Sequence, residues 1–180
     1  MQALPAKKAW GLAAGAAVGV GLLAGVAVIV FATLTAFFDN PRRLDDHKVI
    51  ALVRSECATM RSTVDSLADS TKDETTDDRL VALEDQNLAV ERMVLRLASV
   101  PTEVRDGDKP LDAWLTDWEA LVTARRAYIK RASEGYEANF KVPISGHDKP
   151  ITDRMDSAAR GVCQVPPVLL DPDALGGQEA

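Results

Sequence analysis

IALVRSECATMRSTVDSL, residues 50–67, sets Ile50, Val53, Cys57, Met60, Val64 and Leu67 at successive spacings of 3, 4, 3, 4 and 3. An α-helix turns once every 3.6 residues, so this rhythm gathers all six on one stripe. A stripe of that kind is the seam of one helix packed on another. The next apolar run repeats the arithmetic with Leu80, Leu83, Asn87, Val90, Val94 and Leu97. Asn87 interrupts it, and two placements follow. Either the amide is buried and fixes register at a cost in stability, or it lies at the edge with Leu88 turned inward.

A third helix is expected from about Leu111 to Gly135. Leu111, Leu115, Trp118, Val122, Ile129 and Ala132 form its apolar face, with Trp114, Leu121 and Tyr128 flanking. Gly135 supplies a stop. The connections, DSTKDETTDD at 69–78 and the stretch 99–110, are polar. The first lacks the turn glycine and closing glutamate of an EF-hand, so it reads as a solvated link rather than a calcium loop. Three helices of similar length on short links predict an all-α fold, an antiparallel three-helix bundle. A short fourth helix is expected over Thr152–Gly161, capped by Thr152, after an aperiodic loop at 136–150. The bundle domain is drawn at 39–163, and the tail at 164–180, VPPVLLDPDALGGQEA from Val165 on, is expected to be extended and then disordered.

Upstream, Trp10 to Phe38 runs WGLAAGAAVGVGLLAGVAVIVFATLTAFF, 29 residues without a charge, after a short N-terminal tail at 1–9. About 20 apolar residues cross a bilayer core, so 10–38 is expected to be a transmembrane helix. A cleaved signal peptide fits less well, because its apolar core is about 7–15 residues and ends at a small-residue site. Trp10, Phe37 and Phe38 suit the two interfaces. Asn40 and Pro41 read as the cap and first residue of the next helix. Lys7 and Lys8 precede the span and Arg42, Arg43 and Lys48 follow it, so the charge rule gives no clear winner. The short leading tail and the cysteines favour a cytoplasmic N-terminus with the domain outside. Ala13, Ala17, Gly21 and Gly25 recur every four residues, and Gly11, Gly15 and Gly19 form a second row. Small residues at that spacing let helix backbones approach and suit self-association or packing on a partner's span; a compositional bias toward Ala and Gly explains them equally well.

The two cysteines, Cys57 and Cys163, form an even count in a small domain. In an oxidising compartment they read as one disulfide, and in a reducing one as two buried thiols. A bridge closing so long a loop would stabilise by roughly 4–5 kcal/mol.

The formal net charge is −6, and setting aside the N-terminal segment, whose charges are Lys7 and Lys8, takes the remainder to −8. Such a surface argues against nucleic acid, whose phosphates are held by clustered Lys and Arg. His47 and His147 stand apart from each other and from either Cys, so no metal or nucleophile–base set is assembled. No phosphate loop, serine-nucleophile elbow or zinc-protease motif occurs, no cofactor is implied, and the reading argues against an enzyme. Trp114, Trp118 and Tyr128 with Arg125 make the most distinctive candidate partner surface. The competing reading puts both tryptophans in the core, one turn apart.

The run LDAWLTDWEALVTARRAYIKR followed by KPITDRMDSAARGVCQVPP resembles a family of single-pass membrane proteins from high-GC Gram-positive bacteria. The matching words are Trp114, Trp118, Arg125 and Tyr128, then Pro150, Ile151, Thr152, Arg154, Met155, Asp156 and Cys163. The resemblance implies an exported, membrane-anchored helical domain and brings no activity with it.

Two functions fit these features. One is a tethered module whose partners are the lipid bilayer and another membrane or envelope protein, or a second copy of itself. The other is a ligand-binding or sensing ectodomain, against which stand the single span and a leading tail too short for an output domain.

Overall fold

The computed structural model describes residues 43–71, 75–105, 108–145 and 148–172. All fall in one compact unit, Pro41–Ala180. The apolar stretch 10–38 with Ala13, Ala17, Gly21 and Gly25, the expected restart at Asn40 and Pro41, and His147 lie outside the described residues. Among the described residues no helix is long and apolar enough to cross a membrane.

Regular structure among these residues is helical: α1 His47–Ser70, α2 Thr76–Ala98, α3 Thr102–Arg105, α4 Pro110–Ser133, α5 Ile151–Ala158 and a 3-10 turn at Pro167–Leu169. Residues 43–46 are not helical, and α1 starts later than Asn40 and Pro41 would have it. Asp46 is its cap, the carboxylate accepting from the N–H groups of Lys48 (2.7 Å) and Val49 (3.0 Å). This satisfies donors that the first turn otherwise leaves open. Thr75 caps α2 in the same way. α5 begins one residue earlier than expected, with Pro150 rather than Thr152 at the cap position; Thr152 is buried. Gly135, just past α4, has φ +77°, a left-handed conformation that ends a helix cheaply only at glycine.

α1 buries Val49, Val53, Cys57, Met60 and Val64, with Ile50 and Leu67 half-buried at the edge of the stripe. α2 buries a wider band: Ala82, Leu83, Gln86, Asn87, Ala89, Val90, Met93, Val94 and Leu97. The width has a cause, since α2 packs on α1 along one side and on α4 along the other. Each fully buried Val, Leu or Met side chain contributes about 1.5–3 kcal/mol. Leu88 is half-buried and Asn87 fully buried, so the amide takes the seam position itself.

The expected three-helix bundle needs one amendment. The opening between α1 and α4 is filled by the C-terminal segment: α5 packs on α4, and the 3-10 turn packs on α1. Residues 165–172, expected to be extended or disordered, instead carry that turn, with Leu169 completely buried and Val165 nearly so. A short α3 also interrupts the connection at 99–110.

Candidate functional site

The features that distinguish this domain from a plain bundle gather where the C-terminal segment meets α1, α2 and α4. Cys57, on the buried seam of α1, and Cys163, just past α5, stand at disulfide geometry with Cα atoms 5.7 Å apart across a separation of 106 residues. Both are about 1% exposed. Asp156 accepts from the N–H of Val165 (3.2 Å), folding the chain back after α5. The indole N–H of Trp114 donates to the carbonyl of Met155 (3.2 Å), and Arg154 forks onto both carboxylate oxygens of Asp117, so α5 is fastened to α4 at two points.

Arg125 of α4 completes the clasp. Its guanidinium donates to Asn87 Oδ1, Gln86 Oε1 and the carbonyl of Leu169, each at 2.7 Å. All three acceptors are neutral. Asn87 in turn donates to Glu84 (3.1 Å), and Glu84 pairs with Arg126, so the compensating carboxylate sits one hydrogen bond removed. Burial pushes the Arg125 guanidinium down to about 10, against the pull of Glu84 and Tyr128.

The candidate partner surface is thereby corrected. Trp114, Trp118 and Arg125 are at most 1% exposed, so they are core and cannot meet a partner. The two indoles meet edge to face, centroids 5.7 Å apart, as the core reading of the pair requires. Only Tyr128 of that group is part-exposed, and it packs edge-on against Phe140 at 6.3 Å. Periodicity misses this because α4 carries apolar residues on more than one face, and no acidic residue near Arg125 in sequence announces its burial.

The start of the domain is held as firmly as its end. Leu44 N–H donates to the carbonyl of Ala158 (3.0 Å), and buried Asp108 accepts from the N–H groups of Asp45 (3.0 Å) and Asp46 (3.1 Å) through one carboxylate oxygen. Desolvation raises the pKa of Asp108; the two N–H donors partly oppose it.

What remains accessible near the clasp is an open groove of about 550 Å³ on α1. Arg54, Ala58, Arg61, Ser62 and Asp65 line it, joined by Cys57 and by Val162 next to Cys163. No group of three or more His, Cys, Asp or Glu placed to hold a metal occurs among the described residues. No family model matches the chain, and no curated protein or solved structure shows significant similarity to it.

Proposed function

We propose that this chain is a membrane-anchored interaction module: a helical domain held outside the cytoplasmic membrane by the 10–38 segment, binding another membrane or envelope protein. The observation that carries the reading is the pairing of Cys57 with Cys163 at a Cα separation of 5.7 Å. Two residues so far apart in sequence meet inside the core, where a bridge is worth most in an oxidising space. The 29 uncharged residues ahead of the domain supply the anchor. The net charge of −6 and the firmly fastened ends suit a rigid body offered to a protein rather than to nucleic acid.

The test is thiol labelling of the full-length protein in its native membrane, combined with photo-crosslinkers at exposed α1 and α2 positions. Both cysteines are expected to resist alkylation until reductant is added, and a crosslinked product of defined stoichiometry with an envelope protein is expected. Free labelling of the denatured protein without reductant would overturn the placement outside. Absence of any crosslinked product at every position would overturn the interaction role.

A further inference from the structure

We infer that the α1 groove is the docking surface of this module, and that it takes an acidic peptide segment of the partner protein; the inference rests on the interaction reading above. Arg54 and Arg61 are seven residues apart, two helical turns on one stripe, so their stems lie about 10 Å apart along the axis. Both are exposed, and neither forms an ion pair or hydrogen bond with a described residue. Arg43, Arg92 and Arg160 are likewise without a described partner, but none of them lines this groove, and four other arginines are paired. Arg96 pairs with Glu56, Arg105 with Asp112, Arg126 with Glu84 and Glu91, and Arg154 with Asp117. In a chain of net charge −6, two guanidinia without a described partner leave this groove net positive even with Asp65 on its rim.

Asp65 lies four residues beyond Arg61 and also lines the groove, yet makes no ion pair with it. The volume of about 550 Å³ falls within the range of ligand sites, about 300–1,000 Å³. Cations separated by about two turns match carboxylates spaced along an extended chain better than one small ion, which meets one guanidinium at a time. Ala58 and Val162 offer apolar contacts between the charges. Because Val162 adjoins Cys163, the disulfide holds that contact against α1, and the groove is pre-formed rather than assembled on binding.

The experiment uses the full chain in nanodiscs and a fluorescein-labelled Glu-Leu-Glu-Leu-Glu peptide, read by anisotropy. Arg54→Glu with Arg61→Glu is expected to weaken binding by at least about tenfold. Asp65→Asn is expected to strengthen it by about two- to threefold. A Lys-Leu-Lys-Leu-Lys peptide is expected not to bind. Because both arginines are exposed, an unchanged melting curve separates these effects from misfolding, and Arg54→Gln with Arg61→Gln gives an intermediate loss. Peptide binding that ignores the charge reversals, or no binding by the wild type, overturns the inference. Displacement by inorganic phosphate at matched concentration also overturns it, in favour of a small-anion site. A crosslinked partner that survives Arg54→Glu with Arg61→Glu leaves the interaction role standing and removes the groove from it.

Discussion

Asn87 and Arg125, 38 positions apart in sequence, share a 2.7 Å hydrogen bond in the buried centre of the domain. Through it the cation of α4 reaches an amide on α2, and through Leu169 it reaches the C-terminal turn. One side chain therefore ties three segments together.

Arg125→Met should destabilise the domain by about 3–5 kcal/mol, because it strands three buried acceptors at once. Adding Gln86→Leu and Asn87→Leu should recover part of that loss, since two of the stranded groups then disappear. Urea denaturation of the three proteins measures both steps. Hydrogen exchange at Leu169 and Leu170 should speed up in the single variant before exchange in α1 does. A single variant as stable as wild type would show that the clasp is ornamental.

Reduction of Cys57–Cys163 should lower stability by roughly 4–5 kcal/mol. For a domain of this size that is a fall in melting temperature of about 12–20 °C. Cys57→Ala with Cys163→Ala should reproduce the loss and make it insensitive to reductant. A shift of only a degree or two on reduction would mean that the core alone holds the C-terminal segment.

Asp108 and Asp46 should give opposite pH signatures. Desolvation raises the Asp108 pKa above its ordinary 3.8, so the folded state holds that proton more tightly than the unfolded chain does. Its contribution therefore improves as pH falls and worsens as pH rises through the raised value. Asp46 is held below 3.8 by the N–H groups of Val49 and Lys48, so its contribution is present above that pH and lost as pH falls through the lowered value. Wild type should gain on Asp108→Asn between neutral pH and about pH 4 and should lose against Asp46→Asn below about pH 4. Denaturation midpoints across pH check the signs, and parallel curves would refute the assignment.

Arg154→Met should cost about 1–3 kcal/mol by leaving Asp117, almost wholly buried, without its fork. The double variant with Asp117→Leu should be less damaged than that single change. The comparison reads out how firmly α5 is fixed on α4.

Much of this fold can be read from residue order alone, and the limits have physical causes. The stripes on α1 and α2 follow from spacing, because a helix buried on one face advertises it every three or four residues. α4 is less legible: Trp114 and Trp118 lie on neighbouring stripes, and whether the outer one meets solvent depends on what packs there. What packs there is α5, whose position is set by a disulfide and by hydrogen bonds to residues some 40 positions away. The same long-range fastening orders the proline-rich stretch after Val165, which carries no periodicity of its own. Arg125 could not be placed in the core from sequence, since its partners are two amides and a backbone carbonyl rather than an acid. The arginines of the groove were equally silent, because being unpaired is a property of the surroundings and not of the residue.

The clasp also sets a timetable. Cys57 is synthesised 106 residues before Cys163, and the gap between α1 and α4 closes only when the final segment arrives. Until then the α1 thiol has no native mate and the apolar wall behind it stands open. Completion of the domain therefore waits for Cys163 and the turn at Pro167–Leu169 to emerge, and during that interval the buried face of α1 lacks the cover it has in the folded domain.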